Sequence, residues 1–379
     1  MNPYFDAILD RQGTSSSKWD KYQNQDVIPM WVADMDFAAP PAVIAALKDR
    51  VEHPVFGYTV VPQSLNEVTL DRFATRFNWP LQAVHLEWTP GVVPAINQAI
   101  RGLVRPGGAV ATATPVYHPF LEAPRHMYRS LHTLPMSAAD NWQFPLDDFR
   151  RLAETKPEVD VLLLCHPMNP VGRVLPDETL TALVEICVAH DIVIISDEIH
   201  SEILFDGREH RPLATVSPAA AQQTLTFHAA SKTFNLAGLG CALAIAENPN
   251  IMERFIEAGE GIMAHVNTLG YVATEAAWSR CETWHKSLLA YLTDNRNLLV
   301  ERVAAIPRIS MLAPEATYLG WINIEDLELD DPEAFFLKAG VGISPGQQFM
   351  GEGYIRLNFG CPKSLLNQGL DRIEKACRF

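Results

Sequence analysis

From about residue 84 onward, short apolar runs alternate with segments in which apolar residues recur at helical spacing. Apolar strands alternating with helices are typical of βαβ units, whose parallel sheet is covered by helices on both faces. The apolar runs predict strands at 86–89, 109–114, 160–165, 192–196, 224–228 and 241–246. The segments between them predict helices at 93–103 and 175–190. The pattern therefore predicts an α/β fold with a large, mainly parallel sheet.

The regions on either side of this pattern predict a second, smaller domain. The first 40 residues are mostly polar and irregular, apart from an apolar run at 28–37. Further helices are predicted at 42–51, 65–77, 288–304 and 365–377, and further strands at 318–324 and 354–359. We expect a smaller α+β domain formed by the C-terminal part of the chain and the N-terminal arm. The predicted division is 1–45 for the arm and part of the small domain, 46–280 for the large domain and 281–379 for the small C-terminal domain.

Composition excludes several classes of protein. The chain has 379 residues, 48% hydrophobic and 20% charged, as in a globular enzyme with more than one domain. Its net charge of −15 argues against nucleic acid or an anionic membrane as a partner. No run is apolar enough to cross a bilayer, and the start lacks the pattern of a signal peptide. The six cysteines are scattered without a C-x-x-C pair, so we expect reduced thiols, no metal site and a cytoplasmic location.

Lys232 is the residue with the strongest indication of covalent chemistry. An apolar run ending at His228 leads into Ala-Ala-Ser-Lys-Thr, which places this lysine in a turn among small residues. Burial and nearby positive charge lower the pKa of an ammonium group, and the free amine can form a Schiff base with a carbonyl cofactor. The alternative is a strand-end lysine that extends its amine to solvent.

Three further motifs follow predicted strands, where open α/β sheets bind ligands. Thr-Pro-Gly-Val-Val-Pro at 89–94 places a glycine before a helix, as a phosphate site requires, although such turns are common. Asn169 lies in His-Pro-Met-Asn-Pro-Val-Gly, a rigid turn in which asparagine can also be only a turn former. Asp197 ends an apolar run, where a carboxylate requires a cation such as a protonated pyridine nitrogen. The alternative for Asp197-Glu198 is a pair of acids at a helix start.

In their order along the chain, these motifs resemble those of the pyridoxal-phosphate (PLP) enzymes of the aspartate aminotransferase fold. The resemblance covers almost the whole chain. Trp-Val-Ala-Asp-Met-Asp-Phe at 31–37, Gly57-Tyr58, Asp-Glu-Ile-His at 197–200 and Ser-Lys-Thr-Phe-Asn at 231–235 are similar to the MalY/PatB branch. That branch comprises cystathionine β-lyases and related carbon–sulfur lyases.

The resemblance implies roles for the residues around the cofactor ring. Lys232 would bind the cofactor covalently, and Asp197 would keep the pyridine nitrogen protonated. Asn169 would bind the ring hydroxyl, with His200 nearby. Tyr117 would stack on the ring. Lys232, Tyr117 and Asp197 are therefore the predicted catalytic residues, and the large domain is predicted to bind PLP.

The resemblance also implies a phosphate site and a homodimer. The phosphate would be held by backbone groups and one hydroxyl, from Gly91, Val92, Val93 and Ser231. Tyr58 resembles the tyrosine that reaches the phosphate from the neighbouring subunit, so we expect a homodimer with shared active sites. Many members of the superfamily carry a basic residue eight positions after the lysine, where this chain has Gly240. Phosphate binding would then depend on neutral donors or on another cation.

The predicted substrate is a small sulfur-containing amino acid. Arg356 matches the arginine that binds the substrate α-carboxylate bidentately, with Asn169 and Trp31 beside it. The predicted reaction is PLP-dependent β-elimination from cystathionine or a related cysteine thioether, which gives a thiol, pyruvate and ammonia. The alternatives are an aminotransferase with the same residues and a regulatory protein that retains the fold.

Overall fold

The computed structural model describes residues 4–378. Its strands are β1 (Ile28–Pro29), β2 (Leu86–Thr89), β3 (Ala109–Thr114), β4 (Ser130–Pro135), β5 (Val159–Cys165), β6 (Val193–Asp197), β7 (Thr224–His228), β8 (Ala242–Ile245), β9 (Ser310–Met311), β10 (Leu319–Asn323), β11 (Val341–Gly342), β12 (Ser344–Pro345) and β13 (Tyr354–Asn358). Its α-helices are α1 (Ser17–Asp20), α2 (Pro41–Glu52), α3 (Gln63–Phe77), α4 (Val92–Leu103), α5 (Pro119–His126), α6 (Leu146–Thr155), α7 (Asp177–Ala189), α8 (Pro218–Gln223), α9 (Pro249–Gly259), α10 (Thr268–Arg280), α11 (Glu282–Ala304), α12 (Pro332–Lys338) and α13 (Lys363–Cys377).

A seven-stranded sheet with the order β2-β8-β7-β6-β5-β3-β4 forms the centre of the molecule. The strands from β7 to β4 pair in parallel, while β8 runs antiparallel to both β2 and β7. The prediction of a large, mainly parallel sheet is therefore confirmed.

Helices cover both faces of this sheet because successive strand residues point to opposite sides. Along β5, Leu162 and Leu164 pack in the core that includes residues of α6 and α7. Val161 and Leu163 pack in the core that includes residues of α4, α5 and α9. Strands that are buried on both faces explain why the sequence shows continuous apolar runs rather than alternation.

A smaller sheet is formed largely by the C-terminal part of the chain. Its four strands pair antiparallel in the order β12-β13-β10-β9. Strand β1 of the N-terminal arm pairs in parallel with β11, and Phe5 and Met30 pack with Leu319 and Ile355 in one apolar core. The predicted α+β region with its N-terminal arm is thus present. The domain boundaries at residues 45 and 280 remain a proposal, and residues 1–3 and 379 of that division lie outside the described part.

The structure also contains elements that the apolar pattern did not predict. Strand β4 lies at the edge of the large sheet and buries only one of its six residues, so it has no apolar run. Helix α5 contains Pro124, which disfavours a helix prediction. No helix of residues 4–378 is long and apolar enough to cross a membrane.

Candidate active site

The carboxyl ends of the central strands surround a cavity of about 230 Å³. Because β3, β5, β6 and β7 are parallel, their last residues meet at one edge of the sheet. The predicted site residues that line the cavity are Gly91, Val92, Val93, Tyr117, Asn169, Asp197, His200, Ser231 and Lys232. One cavity therefore brings together all four motifs found in the sequence.

Lys232 follows β7 and directs its amine into this cavity. Its Nζ donates a hydrogen bond to the backbone carbonyl of Ala33 at 2.7 Å. Burial, and after it the positive charge of Arg356, lowers the pKa of Lys232 to about 8, while Asp34 and Asp197 oppose the shift. Lowering the pKa makes the neutral amine, the nucleophilic and basic form, more abundant near neutral pH.

Asp197 ends β6 and is buried at the floor of the cavity. Its Oδ1 accepts a hydrogen bond from the backbone N–H of Ile199 at 3.1 Å. Burial raises the pKa of Asp197 to about 7, although the Ile199 N–H and the charge of Lys232 act in the opposite direction. Such a carboxyl becomes a stable anion only when a cation is placed against it. The alternative of acids at a helix start does not hold for this pair, because turns and not a helix follow β6.

The side-chain rings of His200 and Tyr117 line the same cavity as Lys232 and Asp197. Burial lowers the pKa of His200 to about 3, and Lys232 and Arg356 add to the shift. His200 is therefore a neutral imidazole at physiological pH. Burial raises the pKa of Tyr117, so its phenol stays protonated. The backbone N–H of Tyr117 donates to the Asn169 carbonyl at 3.0 Å, which ties the loop after β3 to the loop after β5.

Arg356 lies beside the cavity on β13 and is almost completely buried. Its Nη1 donates to Asn169 Oδ1 at 3.1 Å, its Nη2 donates to the Trp31 carbonyl at 2.8 Å, and its guanidinium lies 4.6 Å from the Phe349 ring centroid. No aspartate or glutamate of residues 4–378 forms an ion pair with it. Burial lowers the pKa of Arg356 to about 10. A buried guanidinium without a carboxylate partner is suited to binding an anionic ligand.

The opposite end of the cavity is formed by the start of α4. Gly91 is the N-cap residue and provides no side-chain cap, so the first turn of the helix can offer N–H groups to an anion. Gly240 lines the same cavity with a φ of +54°. Among the described residues that line the cavity, Lys232 is the only lysine or arginine. Position 240 thus contributes no cation to the cavity lining that the structure describes.

Besides Arg356, which lies beside the cavity, two predicted site residues are absent from its lining. The Trp31 ring lies 4.6 Å from Lys21 Nζ and donates from Nε1 to the Lys18 carbonyl, so this residue reaches Arg356 through its backbone carbonyl. Tyr58 is fully exposed, in a segment without helix or strand.

Sequence reasoning missed how the segment 31–37 is fixed over Lys232. Asn235 accepts from the Met35 N–H and donates to the carbonyls of Met35 and Phe37. Asn358 donates to the carbonyls of Val32 and Asp34, each at 2.6 Å. Asn235 was part of the motif around Lys232, but nothing in the sequence indicated its partners. His118, His166 and His228 do not line the cavity described here.

Comparisons with known proteins agree with this geometry. A family model described as aminotransferase class I and II matches residues 25–373. Cystathionine beta-lyase PatB from Bacillus subtilis is 35% identical over 386 residues, which cover 98% of this chain and 99% of PatB. The crystal structure of OvoB has a TM-score of 0.96 at 39% identity and covers 99% of both chains. Cystalysin from Treponema denticola, whose structure contains a pyridoxal 5'-phosphate cofactor, has a TM-score of 0.94 at 32% identity over 98% of both chains. The chain belongs to the aminotransferase class I and II family, in its MalY/PatB branch.

Proposed function

We propose that this protein is a PLP-dependent carbon–sulfur β-lyase that acts on cystathionine or related cysteine thioethers. The observation that carries the proposal is the position of Lys232, Asp197 and the unpaired Arg356 around one cavity. The similarity to PatB, which is named as a cystathionine beta-lyase, supports this reaction and this substrate class.

The residues present fit the cofactor. Asp197 is a buried carboxyl that accepts one hydrogen bond from a backbone N–H and forms no ion pair within residues 4–378, so it can pair with a protonated pyridine nitrogen. The uncapped start of α4 and the Ser231 hydroxyl would hold the phosphate, and Tyr117 would pack against the ring. Asn169 and His200 would lie at the ring edge. When bound, PLP supplies an electron sink that stabilises negative charge at the substrate Cα.

The substrate would be held through its carboxylate. Arg356 has further N–H groups besides those bound to Asn169 and Trp31, and these can grip both carboxylate oxygens. The grip orients the substrate so that its Cα–H bond points towards Lys232, and orientation of this kind contributes a large part of a catalysed rate.

Lys232 would act as the general base. Its neutral amine takes the Cα proton, because its lowered pKa leaves part of the amine unprotonated near neutral pH. The electron pair of the broken C–H bond then forms the Cα–Cβ double bond, and the Cβ–S bond breaks with both its electrons on sulfur. The thiolate takes up a proton and leaves. The remaining aminoacrylate reacts with water to give pyruvate and ammonia.

We further propose a homodimer in the cytoplasm, with each active site completed by the partner. The exposed apolar side chains of one short segment support the dimer: Val55, Phe56, Tyr58 and Val60. A monomer rarely exposes such a run to solvent, and a partner chain would cover it. All six cysteines are buried and free, which supports a reducing compartment.

The proposal is tested by incubating purified, PLP-loaded protein with L-cystathionine and no keto acid. We expect one pyruvate and one ammonia for each thiol released. Lys232→Ala should lose at least a thousandfold in kcat while it still folds. Turnover that requires a keto acid and transfers the amino group to it would instead identify an aminotransferase.

A further inference from the structure

Two backbone carbonyls of the segment 31–34 are each shared between a site cation and a neutral hydroxyl. The Trp31 carbonyl accepts from Arg356 Nη2 at 2.8 Å and from the Ser344 hydroxyl at 3.0 Å. Ser344 and Arg356 are directly opposite each other on the neighbouring strands β12 and β13, and Ser344 is buried. The serine hydroxyl therefore fixes the carbonyl against which the guanidinium rests, and its oxygen also accepts a long hydrogen bond from Arg356 Nη2 at 3.5 Å.

The second shared carbonyl belongs to Ala33. It accepts from Lys232 Nζ at 2.7 Å and from the Tyr318 hydroxyl at 3.0 Å. Tyr318 precedes β10 and is almost completely buried, and burial raises the pKa of its phenol, so the hydroxyl remains a donor. Asn358 donates to the carbonyls of Val32 and Asp34 and so holds the backbone on both sides of Ala33.

We propose that Ser344 and Tyr318 are positioning residues that act through these carbonyls. Ser344 sets the guanidinium of Arg356 for the substrate carboxylate. Tyr318 keeps the Ala33 carbonyl where it holds the free amine of Lys232 beside the substrate Cα. The inference rests on the proposed function, and it adds two residues that do not themselves touch the reacting atoms.

The two residues have separable kinetic consequences. Asn169 and the Trp31 carbonyl still hold Arg356 when the Ser344 hydroxyl is lost, so a bound substrate keeps its orientation towards Lys232. The weaker grip on the carboxylate therefore raises KM with little change in kcat. The position of the Lys232 amine matters when the Cα proton is transferred, so disturbing it lowers kcat with little change in KM. A role in folding alone would not separate the two constants in this way.

The proposed role of Ser344 is tested with Ser344→Ala. We expect KM for cystathionine to rise about fivefold, the effect of one lost hydrogen bond, with kcat within about twofold. The dissociation constant of 3-(methylthio)propionate should rise by a similar factor. This carboxylate lacks the amino group, so its binding, measured by calorimetry, reports on Arg356 without any turnover. Ser344→Thr keeps the hydroxyl and should restore most of the affinity. A fall in kcat with unchanged carboxylate binding would overturn the role of Ser344.

The proposed role of Tyr318 is tested with Tyr318→Phe. We expect kcat to fall about fivefold or more, with KM within about twofold. In the full-length chain freed of cofactor, Lys232 should be reductively methylated by formaldehyde and cyanoborohydride at least twice as fast as in the parent, because its N–H is no longer held in place by the Ala33 carbonyl and the amine reaches the reagent more freely. Lys286, whose side chain is 73% exposed, is the internal reference in the same mass spectra. An unchanged or slower rate at Lys232 would overturn the role of Tyr318.

Matched variants separate positioning from general loss of packing. Ser201→Ala removes another buried serine hydroxyl, which lies 2.6 Å from His228 Nε2. Tyr291→Phe removes another buried phenol, which donates to Asp6 at 2.7 Å. Neither control variant should change one of the two constants, kcat and KM, while leaving the other unchanged. If the parent released no pyruvate, the proposed lyase function would fail, while the calorimetric and labelling results would still decide this inference.

Discussion

Burial brings the pKa values of two oppositely charged site residues close together. It raises that of Asp197 to about 7 and lowers that of Lys232 to about 8. Each charged form is disfavoured because little water reaches it. The same environment that leaves Lys232 available as a neutral amine therefore leaves Asp197 as a destabilising group until a cation is bound beside it. The buried Asp197 carboxylate thus destabilises the cofactor-free protein, and binding of a cationic ring can remove this destabilisation.

We predict that Asp197→Asn stabilises the cofactor-free protein at pH 8. The folded pKa of Asp197 lies above its usual value of 3.8, so between about pH 4 and 7 the folded chain binds more protons than the unfolded chain. Its free energy of unfolding therefore falls as the pH rises through that window. Asparagine removes this loss and keeps an oxygen for the Ile199 N–H. We expect the melting temperature to rise by about 2–4 °C at pH 8, and by less at pH 5.

The contrasting variant is Asp206→Asn. An Arg296 hydrogen bond lowers the pKa of the exposed Asp206 carboxyl, which is the opposite shift. Its substitution should leave the melting temperature unchanged or slightly lower at pH 8. A lower melting temperature for Asp197→Asn at pH 8, or the same change at pH 5 and pH 8, would contradict the linkage. The loaded Asp197→Asn variant should lose most of its activity.

At the scale of elements, prediction from sequence depended on how continuously an element is buried. All six residues of β3 are buried, and its bounds were predicted to the residue. The edge strand β4 buries one residue, Leu134, and was missed. The four site motifs were found because each follows its strand directly. The contacts of Lys232 with Ala33 and of Ser344 with Trp31 join residues 199 and 313 positions apart, and no local pattern encodes such pairs.

The turn before β8 explains why this chain lacks a basic residue at position 240. Gly240 has a φ of +54°, and an added Cβ would lie 3.1 Å from the Pro90 carbonyl oxygen. We predict that Gly240→Arg, which restores the basic residue common in the superfamily, lowers the free energy of unfolding by about 1–2 kcal/mol because of the left-handed backbone. It should not tighten phosphate binding, because the strained turn must move to accept the side chain.

Gly238→Ala is the matched control in the same turn. A Cβ there meets no atom within 4 Å, and its φ is not in the left-handed region. Urea unfolding should find it within about 0.5 kcal/mol of the parent. A Gly240→Arg protein with parent stability and tighter inorganic phosphate binding would show that this turn does accept a basic side chain.

At the scale of the whole molecule, two features of the single chain favour the proposed homodimer. The cavity end near Gly91 is lined without a cation other than Lys232, and Tyr58 is exposed in a segment that has no helix or strand. The described chain therefore combines a cavity that has few cationic side chains with an apolar segment that stays largely exposed, although Arg50 lies 5.3 Å from the Phe56 ring centroid. In the proposed dimer, the segment around Tyr58 of one chain would lie against the cavity of the other. This contact would add a phosphate donor to the cavity and would cover the exposed apolar side chains.

We predict that Phe56→Asp breaks this assembly and, with it, cofactor retention. Phe56 is 58% exposed in the single chain, so aspartate costs the monomer little but places a charge in an apolar interface. Sedimentation velocity should show a dimer for the parent and mainly monomer for Phe56→Asp. Tyr58→Phe should remain dimeric but lose PLP about fivefold faster, the effect of one missing hydrogen bond to the phosphate. Tyr128→Asp, at an exposed position outside this segment, should change neither property. If Phe56→Asp remained a dimer that kept its PLP, the segment 55–60 would lie outside the dimer interface, and the proposed shared site would be disproved.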